Sequence, residues 1–240
     1  DTDGDGGIPE AGYWKGIRLE PTGTARFDHA AVRYAGGYEY AYTEFSNLIN
    51  QGGTLEFTNS ETSFASQNGI KHNAGTTTVA GSNLAHTPVG VYITAPFVSV
   101  TDSVFDTTPT AISVAGGDYS SDIFTASGNT YIGNQVPIIE ISSMNVVGNV
   151  TWGSSFPYVI SGTVVVNQGA TLTMNPGVII KGRINNSLFM IQGTLLALGT
   201  AEAPIIFTAA NDDAAGGDTD GDGGIPEAGY WKGIRVEPTG

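Results

Sequence analysis

The chain has 240 residues, a formal net charge of −14, no cysteine and only 13% charged residues. So acidic a body excludes nucleic acid and anionic membrane surfaces as electrostatic partners and favours divalent cations. The lack of cysteine excludes disulfides and thiolate metal sites, and no apolar run approaches the roughly 20 residues that cross a bilayer, so no membrane insertion is expected.

The 34 glycines sit among stretches rich in Val, Ile, Thr, Tyr and Phe. No window keeps apolar residues at three- and four-residue spacing for three turns, which predicts an all-β chain. It opens with DTDGDGGIPEAGYWKGIRLEPTG. Asp1, Asp3 and Asp5 with Gly6 reproduce D-x-D-x-D-G, the first half of an EF-hand-type calcium loop. Alternate carboxylates in a tight turn converge on one hard cation, and glycine permits the bend. The Gly7 carbonyl would be the next ligand; position twelve is Gly12, which leaves Glu10 as the nearest acidic substitute. Pro9 argues against a helix following the loop.

The next stretch, TARFDHAAVRYAGG (24–37), places Asp28 near Arg26 and Arg33, an arrangement read as surface ion pairing. Tyr38, Tyr40 and Tyr42 alternate, so their rings share one strand face. That row is a candidate contact for glycans or for a lateral neighbour, set against inward packing or a cover over the solenoid end. His29, His72 and His86 lack metal-ligand spacing and are expected in turns or at the surface.

A shorter rhythm then appears. Gly69-Ile70, Gly90-Val91 and Ala111-Ile112 recur at one constant interval, with Ser63-Phe64, Asn83-Leu84 and Val104-Phe105 read as matched turns ahead of them. The steps from Tyr131 to Trp152 and from Trp152 to Leu172 keep nearly the same interval, which extends the rhythm. TVVVNQGATLTMNPGVIIKG (163–182) and LFMIQGTLLALGTAEAPIIFTA (188–209) are short apolar runs broken by Gly, Asn or Pro. In the latter, Leu195, Ala197, Ile205 and Phe207 point in or out by the period-two rule, and one set is expected to stack inside. Rungs of about 20–25 residues made of strands and tight turns point to a solenoid, about nine rungs and about 45 Å per repeat at strand spacing.

The repeat itself is explicit. Residues 218–240 match residues 1–23 at 22 of 23 positions, with Leu19 against Val236 the one difference, an offset of 218 − 1 = 217. Residues 1–240 therefore read as a single solenoid, one full repeat (1–217) plus the start of the next (218–240). The second acidic loop is fuller: Asp212, Asp213, Asp218, Asp220, Asp222, the Gly224 carbonyl and Glu227 are its candidate calcium ligands.

GTLLALGTAEAPIIFTA, then an acidic insertion and GYWKGIR, resembles the right-handed parallel β-helix modules of large bacterial surface and secreted proteins. TARFDHAAVRYAGG fits the rung that follows. The resemblance implies the fold and little about activity, because this fold carries lyases, hydrolases, adhesins and inert stalks. A lyase groove needs a basic residue beside its acids, and residues 72–180 contain no Lys or Arg. Asp102 with Asp106, and Asp118 with Asp122, are the mid-chain carboxylate pairs.

With no capping helix or blocked edge strand read at either end, each copy is expected to stack head to tail on another. The expectation is a structural repeat of an extracellular or cell-surface fibre, stiffened by calcium, and not an enzyme. A glycan-binding adhesin module is the alternative, and a polysaccharide-degrading enzyme the lesser one.

Overall fold

In a computed structural model the protein is described over residues 6–37, 45–120, 124–133, 136–183 and 187–238. It is an all-β parallel β-helix: among the described residues every strand pair is parallel, and they wind through nine stacked coils. The first coil holds β1 (Ile17–Leu19), β2 (Thr24–Asp28) and β3 (Ala31–Arg33). The second holds the bent strand β4 (Ser46–Thr58) and β5 (Glu61–Ser63), and the third β6 (Asn68–Ala80) and β7 (Asn83–Ala85). Next come β8 (Val89–Ile93), β9 (Val98–Thr101) and β10 (Val104–Asp106), then β11 (Thr110–Tyr119), β12 (Phe124–Ser127) and β13 (Thr130–Ile132). The sixth coil has β14 (Ile138–Val146) and β15 (Asn149–Trp152), and the seventh β16 (Tyr158–Val166) and β17 (Thr171–Met174). The last two hold β18 (Ile179–Gly182), β19 (Leu188–Ile191) and β20 (Thr194–Ala197), then β21 (Ile206–Ala209) and β22 (Ile234–Val236).

One side runs unbroken through all nine coils, in the order β1-β4-β6-β8-β11-β14-β16-β18-β21. Its register brings Leu48, Ile70, Val91, Ile112, Ile139, Tyr158 and Ile180 into one column, each buried. Each such side chain stabilises the stack by about 1.5–3 kcal/mol relative to exposure. The constant interval of Ile70, Val91 and Ile112 is this column seen in the sequence. Alternation along the strands supplies the rest, because successive side chains point to opposite faces.

The other sides are interrupted. In the first five coils the second side is β2, the ends of β4 and β6, β9 and β12, and the third is β3-β5-β7-β10-β13. In the last four coils the second side stacks the ends of β14 and β16, β19 and β22 upon the end of β11, and the third is β15-β17-β20. The long strand β11 is the seam: its first half continues the nine-strand ladder, and its second half founds a new one.

Corners in the lower coils are single residues in the left-handed region. His29, Asn59 and Asp102 hold the corner before the third side, with φ of 54°, 47° and 50°. Tyr34, Phe64, His86 and Thr107 hold the corner after it, with φ of 61°, 54°, 51° and 52°. Each non-glycine residue there costs about 1–2 kcal/mol. Stacking offsets part of it: Tyr34, Phe64 and His86 lie ring upon ring, with centroids 4.9 and 4.8 Å apart. Inside the first corner a polar column closes the backbone: Ser60, Ser82 and Ser103 hydroxyls and the Asn129 carbonyl oxygen accept from the N–H of Ala30, Ser60, Ser82 and Ser103 one coil below.

Several sequence expectations shift. Asn83-Leu84 and Val104-Phe105 are in register, but they are strands, and they stack on Glu61-Thr62, not on Ser63-Phe64. Tyr131 pairs with Phe105, and Trp152 with Met174, so the intervals read from Tyr131 to Trp152 and on to Leu172 are not registers. Strands of three or four residues leave little room for side-chain pattern to fix their register. Leu195, Ile205 and Phe207 pack against the core, whereas Ala197 is exposed.

Candidate functional site

The acidic insertion between β21 and β22 is strapped across the outer face of the nine-strand side. Gly216 and Gly217 lie in the left-handed region, and a Cβ on them would stand 2.8 Å from Pro157 Cγ and 2.9 Å from Val136 Cγ2. Glycine therefore lets the loop backbone lie directly on the coils beneath. Lys181, fully buried on β18, donates through Nζ to the Gly217 carbonyl at 2.8 Å. Asn211 Nδ2 donates to the Ile225 carbonyl at 3.1 Å, and the buried Thr219 hydroxyl to the Ala210 carbonyl at 3.1 Å. These bonds tie both ends of the insertion to its own base.

So held, Asp213, Asp218, Asp220 and Asp222 bring one carboxylate oxygen each within 4.8 Å of one another. Two oxygens on opposite sides of a calcium ion at about 2.4 Å each are separated by about that much. Asp218 Oδ1 accepts from the Gly221 N–H and Asp222 Oδ1 from the Gly224 N–H, both at 2.6 Å, which orients these carboxylates. Tyr230 OH reaches Asp220 Oδ2 at 3.5 Å. Asp213 Oδ1 and Asp220 Oδ1 are buried atoms with no hydrogen-bond partner, as is Asn211 Oδ1. Burial, then the neighbouring Asp222 charge, pushes the Asp220 carboxyl above its usual range. Burial pushes Lys181 down, against the upward pull of Asp213, Asp212, Asp220 and Asp218. The lysine offsets one of the four charges. The donor set is hard oxygen, and it fits calcium or magnesium better than a soft metal.

The structure gathers only part of the expected ligand set. Asp212 is diverted, its Oδ2 accepting from Thr208 Oγ1 at 2.6 Å. Glu227 is exposed outside the cluster, so the fourth carboxylate comes from upstream, from Asp213. The Gly224 N–H is taken up by Asp222, and its carbonyl keeps the seventh position of the motif. In the first copy Asp1, Asp3 and Asp5 lie outside the described residues; Gly6, Gly7 and Glu10 are exposed. Tyr38, Tyr40, Tyr42 and Asp122 also lie outside them. Sequence reasoning missed Lys181, Asn211 and Tyr230. For Lys181 a signal existed, as it is the first Lys or Arg after Lys71.

Among the described residues, the remaining candidates do not gather into a site. Arg26 pairs with Glu56 at 2.6 Å, and Arg33 pairs twice with Glu61 at 2.9 Å. Both partners belong to the coil above, so Asp28 is not their partner; it accepts instead from Asn59 Nδ2 at 2.9 Å. Asp102 precedes β10 and Asp106 ends it, and Asp118 accepts from Asn145 Nδ2 at 2.9 Å. His72 is no surface residue: it is fully buried, with Nδ1 2.8 Å from Thr77 Oγ1 and Nε2 2.9 Å from the Pro96 carbonyl. An open groove along the lower corner is lined by His29, Asn59, Glu61, Asn83 and Asp102.

Among known proteins, the family model described as a pectate-lyase-like β-helix domain matches residues 143–229, a little over a third of the chain. No curated protein and no solved structure matches the chain. The match covers most of the upper coils and the acidic cluster, and it agrees with the parallel β-helix of the described residues.

Proposed function

We propose that the chain is a structural repeat of an extracellular fibre, stalk or cell-surface array, in which β-helical copies stack end to end. One observation carries this reading: the duplicated segment occurs on the first coil as β1 and on the ninth as β22, so a single copy spans the stack between two equal points. Those points are eight strand spacings apart, about 38 Å, which shortens the roughly 45 Å expected from nine full rungs. Images of the native material test the reading. Extended rods are expected; discrete compact particles would contradict it.

The acidic cluster is proposed to hold calcium. When bound, the ion supplies the positive charge that four converging carboxylates and one buried lysine lack, clamping the insertion to the coils beneath. Asp213, Asp218, Asp220 and Asp222 would hold it. Titration with calcium should raise Tm and EDTA should reverse the rise; an unchanged Tm would remove the metal from the account.

A second reading, an enzyme acting on polysaccharide, is favoured by the pectate-lyase-like match. Against it, Lys181 is fully buried and bonded to Gly217, and Arg183 faces Glu140 at 3.9 Å on a neighbouring coil. Release of unsaturated oligosaccharide from acidic polysaccharide with calcium present would establish this reading over the structural one. The glycan-binding alternative rests on the tyrosine row and on the polar lower groove. A glycan-array screen with Tyr40→Ala as control tests it.

A further inference from the structure

The two copies of the duplicated segment use opposite strand edges. In the first copy, Ile17, Arg18 and Leu19 pair with Leu48, Ile49 and Asn50 of the coil above. In the second, Ile234, Arg235 and Val236 pair with Phe189, Met190 and Ile191 of the coil below, and among the described residues β22 pairs with β19 alone. Laid upon each other, the copies give one ladder: β19, then the shared segment, then β4.

Gly16 and Gly233 report on that ladder independently. Both lie in the left-handed region, with φ of 99° and 81°. A Cβ on Gly16 would run into the carbonyl oxygens of Ser46 and Asn47, whereas one on Gly233 would meet nothing within 4 Å. The same glycine is sterically required only where the next coil lies on it. The tryptophans complement each other likewise. Trp231 packs down on Gly182, where any side chain would strike its ring. Trp14 remains 40% exposed, yet its Nε1 donates upward to the Arg33 carbonyl at 2.7 Å.

We infer that the free edge of β22 is the docking surface for a following copy of this chain, which lays its Leu48–Asn50 strand there in the register seen on β1. This rests on the fibre reading and adds a geometric consequence. β1 belongs to the nine-strand side continuous with β21, but β22 belongs to the neighbouring side. Each copy is thus turned by one side of the coil relative to the last. The acidic insertions, one per copy, wind around the fibre and do not line up on one face.

The test compares Gly16→Ala and Gly233→Ala in the 240-residue chain and in a chain of two full copies, with a structure of the unmutated two-copy chain. Both variants carry similar backbone strain, so their difference isolates contact with the next coil. In the single chain Gly233→Ala should lower Tm far less than Gly16→Ala; in the two-copy chain the two should be alike. The structure should show the second copy's β4 stacked on β22, with its acidic insertion on the neighbouring side. A two-copy chain that is an extended rod, yet tolerates Gly233→Ala or has insertions in line, overturns the junction and leaves the fibre reading standing. Two separate particles overturn both.

Discussion

The lower five coils and the upper four build the same stack by different means. Below the seam, the second to fourth coils are short and regular: stacked positions advance almost evenly, from Leu48 to Ile70, Val91 and Ile112, while the first coil, from Ile17 to Leu48, is longer. Their corners are single left-handed residues, and polar columns run through them: the serine column, Asn47, which bonds the carbonyls of Val32 and Ser63, and His72. Above the seam the interval is uneven, short from Ile139 to Tyr158 and long from Ile180 to Phe207, and the interior is apolar. Trp152 lies flat on Tyr158 at 4.4 Å and near Phe189 at 5.9 Å. Hydrogen bonding fixes register in the lower half, and packing fixes it in the upper half. Where corners are tight the backbone needs side-chain partners, and where they are loose a larger core can be filled.

That contrast can be broken from either side. The largest effect is expected above the seam: Trp152→Ala removes the largest fully buried side chain and should cost about 3–5 kcal/mol in denaturant unfolding. A loss below about 1 kcal/mol would mean that packing does not hold the upper coils. Below the seam, Ser82→Ala strips the acceptor of the Ser60 N–H and the donor to the Ala80 carbonyl, and should cost about 1–3 kcal/mol. Ser82→Thr, which keeps the hydroxyl, should recover part of that loss.

Acid should separate the halves further. Burial lowers the His72 pKa below its ordinary 6.5, so the folded chain holds this imidazole neutral while the unfolded chain takes up a proton. Its contribution is complete above about pH 6.5 and is lost as pH falls from there toward the folded pKa. His72→Gln should flatten the stability profile in that window, and an unchanged profile would show that His72 is not its source. The smallest effect belongs to the exposed pair: Arg33→Ala should cost less than about 1 kcal/mol, since both side chains are partly solvated.

The strands of 163–182 and 188–209 in the upper half, and the interval of the second to fourth coils, were legible in the sequence; the register of Trp152 on Met174 was not. Apolar alternation in 163–182 and 188–209 is strong because those strands bury one face, and the constant spacing marks the column from Ile70 to Ile112. The three-residue strands of the third side were misregistered, since Glu61-Thr62 carries no pattern that sets it apart from Ser63-Phe64. His29 and His86, expected in turns or at the surface, and Phe64, read in a matched turn, do lie at corners, but their left-handed conformation and that of Tyr34 were hidden because only the coil above stabilises it. Three of the four clustered carboxylates were legible in D-x-D-x-D-G. Asp213 was one of several upstream and downstream candidates, and the diversion of Asp212 to Thr208 depends on a tertiary hydrogen bond that no spacing encodes.

The central claim is that coils run on from one copy into the next, and rod length against copy number tests it most directly. Chains of two, three and four copies, imaged by cryo-microscopy, should lengthen by about 38 Å per added copy while keeping one cross-section. Particles that gain width, or a string of separate bodies with gaps between them, would contradict it.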